Sequence, residues 1–204
     1  MPPRRIFLIG GAPTAGKSTV ARALARSLAI PWISTDQIRR IMRTATTRKE
    51  NPGLFGPEGY DAQRFLMEFS PEQIVELEYA QAEAVWPGVR RFITADHVWN
   101  EGFIVEGVNL LPHLIASDFK NDPAIKSLFL LDRDLTRTRQ VIFSRGLWHQ
   151  AASYPDSVKE KEVSWVNLFG VRLAADAIKY DYPIVEVQKG EQDLQGTMKA
   201  FGLA

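Results

Sequence analysis

The sequence predicts an α/β domain in which a parallel sheet is covered by helices on both faces. Three observations carry this expectation. Short apolar runs alternate with stretches of helical periodicity, the rhythm of strand–helix units feeding one parallel sheet. The first unit holds Gly11-Ala12-Pro13-Thr14-Ala15-Gly16-Lys17-Ser18 between its strand and its helix. Composition is that of a packed domain, with 45% hydrophobic and 24% charged residues. At 204 residues the chain is read as a single domain, 1–204, with room for a substantial core.

Strands are expected near 6–10, 31–34, 102–107, 126–131 and 183–187. Helices are expected near 17–29, 36–44, 71–99, 110–117, 134–145, 158–180 and 191–201. Ile6-Phe7-Leu8-Ile9 is a continuous apolar run suited to a buried strand, and Val20, Leu24 and Leu28 recur at helical spacing behind the glycine-rich run. Ile33-Ser34-Thr35-Asp36 ends the second strand and opens a helix, with Thr35 or Asp36 as the expected N-cap. Pro87-Gly88 is expected to break or kink the long helix at 71–99. Phe103-Ile104-Val105 and Leu128-Phe129-Leu130-Leu131 are further buried runs, and the third strand is expected beside the first. In the helix at 134–145, Leu135, Thr138 and Ile142 face the core. Trp86, Trp99 and Trp165 fall in helical stretches and are read as packing residues.

Two segments depart from the rhythm. Residues 45–70 mix Asn51-Pro52-Gly53, Gly56-Pro57 and Gly59 with Phe55, Tyr60, Phe65 and Phe69, which suggests an ordered loop over a pocket. Residues 146–157 follow an arginine-rich helix and hold Gly146, Trp148, Tyr154 and Pro155; with that helix they read as a lid over about 137–157.

Composition narrows the chemistry. A net charge of +1 gives no broad nucleic-acid footprint, so no nucleic-acid partner is expected. No cysteine is present, which excludes disulfides and thiolate metal sites. The three histidines, His97, His113 and His149, have no metal-ligand spacing and are read as incidental. No apolar run is long enough to span a bilayer, and Met1-Pro2-Pro3-Arg4-Arg5 leads straight into the first strand. The expected setting is cytoplasmic, with no membrane partner.

The run at 11–18 fits Gly-x4-Gly-Lys-Ser/Thr at every fixed position. Such a loop holds a nucleotide's phosphates on backbone N–H groups and a helix N-terminus. The expected nucleotide contacts are Gly11, Ala12, Pro13, Thr14, Ala15, Gly16, Lys17, Ser18 and Thr19, with Lys17 on the outer phosphates and the Ser18 hydroxyl on Mg²⁺. Phosphoryl transfer asks the protein for positioning and charge stabilisation. Glu106, at the end of an apolar strand, suits a metal held through water; a helix cap or ion pair is its plainer alternative. Asp132 is a rival at the end of the next strand, read as structural. Asp36 is placed to orient or deprotonate an acceptor hydroxyl, unless it only caps its helix. Arg39 and Arg43, four apart on one helix face after Asp36, suit an anionic acceptor, and Glu106 is counted on that side too. Among the lid arginines, Arg137, Arg139 and Arg145 are candidates for phosphate, with Arg137 and Arg145 in catalytic roles.

Gly10-Gly11-Ala12-Pro13-Thr14-Ala15-Gly16-Lys17-Ser18-Thr19, the run from Ile33 through Asp36 and Arg39 to Arg43, and Val105-Glu106-Gly107-Val108-Asn109-Leu110-Leu111-Pro112 resemble the 2-phosphoglycerate kinase family of P-loop kinases. Ser144-Arg145-Gly146, Ala174-Ala175-Asp176-Ala177 and Tyr182-Pro183-Ile184-Val185 are similar as well. The resemblance implies a P-loop kinase fold, with five parallel strands in the order 2-3-1-4-5 and a helical lid. It implies an ATP- and Mg²⁺-dependent enzyme that phosphorylates the free hydroxyl of 2-phosphoglycerate, a small anionic acceptor. Lys17 and Ser18 would then serve nucleotide and metal, Asp36 the acceptor hydroxyl, and Arg39 the acceptor anion. Zeta-toxin-like and chloramphenicol phosphotransferase-like kinases share the scaffold, so another acceptor stays open. A regulatory NTPase without a small acceptor stays open too.

Overall fold

The computed structural model describes residues 5–57, 60–95, 100–148, 153–188 and 191–203. Five parallel strands form one sheet: β1 (Arg5–Gly11), β2 (Trp32–Ser34), β3 (Gly102–Glu106), β4 (Ile125–Leu131) and β5 (Ile184–Glu186). Their order, β2-β3-β1-β4-β5, is the one the resemblance implies. Helices α1 (Lys17–Leu28), α2 (Thr35–Thr44), α3 (Ala62–Glu68), α4 (Pro71–Ile93), α5 (Pro112–Phe119), α6 (Leu135–Arg145), α7 (Asp156–Lys179) and α8 (Glu191–Ala200) complete the described elements, with a 3-10 turn at Pro52–Leu54.

Alternation along β1 divides the core. Phe7 and Ile9 point to one face, where they meet Val20, Leu24, Ile104, Leu128 and Phe201 under α1 and α8. Ile6 and Leu8 point to the other, beside Phe103, Val105 and Phe129 under α4, α5 and α7. A strand buried on both faces must be apolar at every position, which is why β1 reads as an unbroken run. Each buried Phe, Leu or Ile contributes about 1.5–3 kcal/mol by leaving water.

The long helices α4 and α7 are joined side to side. Tyr79 Oη donates to Asp176 Oδ2 at 3.0 Å. The Arg172 guanidinium lies 3.8 Å from the Tyr79 ring centre and also bonds Glu76. The Tyr79 and Phe169 rings meet edge to face.

Leu135, expected to face the core, is exposed at the start of α6, whereas Thr138 and Ile142 are buried as expected. Two further local expectations are corrected. The helix at 71–99 neither breaks at Pro87-Gly88 nor reaches 99: α4 runs through both residues and ends at Ile93. Pro87 lies on the exposed side of α4, where the carbonyl that loses its partner can turn to water. Gly88 faces α2, and a Cβ there would stand 2.3 Å from Met42 Sδ. The pair thus permits close helix packing rather than a break. Trp99, His97 and His149 lie outside the described residues, whereas Trp86 and Trp165 are buried as expected. The second correction concerns the cap of α2, which is neither Thr35 nor Asp36. Ser34 Oγ accepts from Asp36 N at 3.3 Å, and Gln37 Oε1 accepts from Ser34 N at 3.0 Å.

Candidate active site

The loop between β1 and α1 is shaped by two glycines with different reasons to be there. Gly11 has φ 153°, and a Cβ on it would meet Leu130 O at 2.8 Å. Gly16 has φ 78° and open space around it, so its backbone alone demands glycine. Between them Thr14 adopts φ 68°. The loop therefore curls back over the N-terminus of α1, where unpaired backbone N–H groups and the helix dipole favour anions.

Lys17 is buried, and its Nζ donates to Ala12 O at 2.7 Å, so the ammonium lies across the loop. Burial lowers its pKa to about 8, opposed by the charges of Glu106 and Asp36. Ser18 Oγ donates to Glu106 Oε1 at 2.9 Å. Glu106 pairs in register with Ile9 of β1 and Ser34 of β2, so the sheet sets it beside the loop. Its side chain is buried, which raises its pKa against the pull of Lys17 and of hydrogen bonds from Ser18 and Ser34. A hydroxyl and a carboxylate form an oxygen donor pair of the kind Mg²⁺ takes alongside phosphate and water. Among the described residues no cluster of three or more His, Cys, Asp or Glu could hold a metal unaided.

Asp36 is held in place from below. Thr35 is fully buried, and its Oγ1 accepts from Asn109 Nδ2 at 3.1 Å. Gly107 makes room for it, since a Cβ there would fall 1.8 Å from Thr35 Oγ1. With Ser34 doing the capping, the Asp36 carboxylate is left to face the cavity. That cavity, about 430 Å³, is lined by Pro13, Thr14, Lys17, Ser18, Asp36, Arg39, Arg40, Arg43 and Glu106. Leu147, Trp148 and Trp165 close one side and Glu78 and Gln81 another. Its size is that of a small-molecule site. Arg39 Nε donates to Leu54 O at 3.0 Å, which ties α2 to the 45–70 segment. The Arg43 guanidinium lies 4.7 Å from the centre of the Phe55 ring.

The lid arginines separate. Arg137 reaches the other side of the loop: it donates to Gln188 O at 2.6 Å and Val187 O at 3.3 Å, and stands 3.6 Å from Asp132 Oδ2. A second hollow there, about 290 Å³, is lined by Thr14, Gly16, Thr19, Asp132, Arg137 and Gln188. Asp132 also accepts from Asp134 N at 2.9 Å, a turn-forming contact. Arg139 is not brought to the loop. It bonds Glu160 of α7 and packs over the Phe143 ring. Arg145, at the exposed end of α6, lines neither hollow. Pairing with a neighbouring helix accounts for Arg139.

Two acids at the site escaped the sequence reading, Glu78 on α4 and Glu162 on α7. Burial pushes each up to about 7. Glu162 Oε1 accepts from Leu147 N at 2.9 Å, fixing the segment that carries Trp148 over the cavity. The signal was present. Ile74, Glu78, Ala82 and Val85 form one helical stripe, and Val158, Glu162, Val166 and Phe169 another. A carboxylate standing in an apolar stripe is costly without a purpose.

No family model matches the chain. It is 28% identical over 182 residues to the 2-phosphoglycerate kinase of Methanocaldococcus jannaschii, an alignment covering 89% of this chain and 58% of that protein. It is 26% identical over 136 residues to the mevalonate-3-phosphate 5-kinase of Thermoplasma acidophilum, covering 66% of each. The chain thus spans between about half and two thirds of the length of the curated relatives it matches. A gluconokinase from Sinorhizobium meliloti superposes with a TM-score of 0.54 at 13% identity, over 98% of this chain and 92% of that one. No helix among the described residues is long and apolar enough to cross a membrane. Sheet order, phosphate loop and relatives agree: this is a P-loop kinase-fold chain, similar in sequence to the archaeal 2-phosphoglycerate kinases.

Proposed function

We propose that this chain is an ATP- and Mg²⁺-dependent kinase that moves a γ-phosphoryl group to a hydroxyl of a small phosphorylated acid, with 2-phosphoglycerate as the leading acceptor. The observation that carries the reading is that Lys17 at the start of α1 and Asp36 and Arg39 on α2 line one cavity of about 430 Å³. The named substrates of both relatives carry a carboxylate, a phosphate and a free hydroxyl. An acceptor of that chemistry needs a carboxylate for its hydroxyl and a cation for its anion, and α2 supplies both.

The roles follow from position. Backbone N–H groups at Thr14, Gly16, Lys17 and Ser18 hold the phosphates, and Lys17 turns from Ala12 O to the outer phosphate oxygens. Ser18 and Glu106 would hold Mg²⁺, which when bound offsets charge on the phosphate oxygens. Asp36 orients the acceptor hydroxyl and takes its proton. Arg39 holds the acceptor's anionic group, with Arg43 at the rim. Arg137, between Thr14 and Gln188, serves the nucleotide from the far side of the loop. Residues 45–57 and 60–70 form the acceptor wall, and the segment after α6 carries Leu147 and Trp148 over the reacting groups, within one domain over 1–204.

The test is direct. The protein is incubated with ATP, Mg²⁺ and 2-phosphoglycerate, and the bisphosphate is sought by phosphorus NMR, with mevalonate 3-phosphate run in parallel. Turnover of a neutral sugar or an antibiotic, with none on either phosphorylated acid, rejects the acceptor class. Slow ATP hydrolysis that a protein partner accelerates and no small acceptor does favours a regulatory NTPase instead.

A further inference from the structure

Glu78 stands where three hollows meet. With Gln81 it lines the 430 Å³ cavity of the phosphate loop, a 930 Å³ hollow walled by residues 47–57, and a 230 Å³ cleft against Tyr60 and Trp148. Gln81 Nε2 donates to its Oε2 at 3.3 Å. Arg39, the cation that most affects it, is itself fixed to Leu54 O rather than to Glu78. The two side chains therefore face one cavity, each on its own support.

The linings order the charged groups. Lys17 and Asp36 line only the 430 Å³ cavity at the phosphate loop. Arg39 lines that cavity and the 230 Å³ cleft, and Glu78 lines all three hollows. Outward from the phosphate loop the series is Lys17 and Asp36, then Arg39, then Glu78. Under the function proposed above, on which this rests, the reacting hydroxyl lies at Asp36, so Glu78 is at the far end of the acceptor.

We infer that Glu78 contacts the acceptor's non-reacting anionic group, donating its own carboxyl hydrogen to an oxygen of the phosphate or carboxylate that Arg39 binds, and so selects acceptors that carry such a group. An ionised Glu78 would repel that group, whereas the neutral acid is a hydrogen-bond donor. Burial holds Glu78 up at about 7, assisted by Asp36 and opposed by Arg39. The other charges at these hollows are Arg40 and Arg43 on α2, Glu106 on β3, Arg48 and Lys49 in the loop, and Asp61 ahead of α3. A plain structural acid would serve as well in either protonation state; a donor to an anion serves in one.

The experiment is calorimetric titration of 2-phosphoglycerate into the whole chain with Mg²⁺ and a non-hydrolysable ATP analogue, at pH 6, 7 and 8. If only the neutral acid binds, the competent fraction falls from about nine tenths to about one tenth, and Kd rises about tenfold from pH 6 to 8. Glu78→Gln keeps a donor at every pH, so the ratio of wild-type to variant Kd rises about tenfold from pH 6 to 8. The variant also carries the ligand's own phosphate titration, which is thereby separated. A second arm uses the wild type alone with the phosphate's own titration, measured on the free ligand by phosphorus NMR, divided out; affinity that is then flat with pH overturns the inference, and this arm needs no variant to fold. A Glu78→Gln slope equal to the wild type's overturns it too. Binding with the expected slope but no turnover rejects the kinase reaction and upholds Glu78; no binding at any pH overturns both.

Discussion

Glu162→Gln tests how the lid side of the site is built. Glu162 is fully buried, one oxygen holds Leu147 N at 2.9 Å, and the other has no hydrogen-bond partner. Burial raises its pKa from 4.5 to about 7, against the pull of that backbone hydrogen bond, Lys159 and Arg145. Between those two values the folded state keeps a proton that the unfolded state has released. Stability therefore falls as pH rises through this window, by about 3 kcal/mol in all, and stays lower above pH 7. Glutamine cannot ionise and retains the oxygen that accepts from Leu147. Its amide nitrogen, however, occupies the site of the unpartnered oxygen and costs about 1–3 kcal/mol. The variant is thus expected to be less stable than wild type at pH 4.5 and to gain on it by about 3 kcal/mol by pH 8. Urea unfolding at half-unit pH steps reads the difference, in which groups common to both proteins cancel. A difference that stays constant from pH 4.5 to 8 refutes the argument.

Three further outcomes are expected. Lys17→Met removes a buried ammonium whose pKa is lowered to about 8 by burial; at pH 7 the nucleotide-free protein gains about 1–3 kcal/mol, while binding of an ATP analogue is lost. A melting temperature below wild type contradicts this, and the wild type itself is expected to gain stability between pH 8 and 10.5 as the unfolded state retains the proton. Gly16→Ala, with φ 78° and free space, costs about 1–2 kcal/mol, whereas Gly11→Ala meets Leu130 O and costs more, an order that chemical denaturation ranks. Asp36→Asn keeps nucleotide affinity and lowers acceptor phosphorylation by about 10²–10⁴; transfer at the wild-type rate would remove Asp36 from the chemistry.

Legibility in the sequence followed the strength of the local signal. The sheet was readable because β1, β3 and the second half of β4 are buried on both faces and so carry continuous apolar runs, at 6–9, 103–105 and 128–131. Their positions beside one another brought the ends bearing Gly11 and Glu106 together. Helix ends were less readable. Ser34 outcompeted Thr35 and Asp36 as a cap because Gln37 answers it three residues on, and Thr35 was needed inside. Pro87-Gly88 looked like a stop because one residue's propensity says nothing of the neighbour, Met42, that the glycine admits. Arginines were the least readable. Arg137 and Arg139 sit two apart on one helix, yet one meets carbonyls beyond β5 and the other meets Glu160. Only tertiary packing distinguishes them.

The joint between Tyr79, Arg172 and Asp176 also limits how a metabolite gets in. The helices that bear Glu78 and Trp165 are clasped together partway along, on charged and aromatic contacts that would all have to part at once. Entry by spreading those two rods is therefore the expensive route. The other walls hang on fewer polar contacts: the stretch around Leu54 and Phe55 on Arg39 and Arg43, and the Leu147–Trp148 corner on Glu162. Arg39 faces the chamber it guards, whereas Glu162 lies buried behind Leu147.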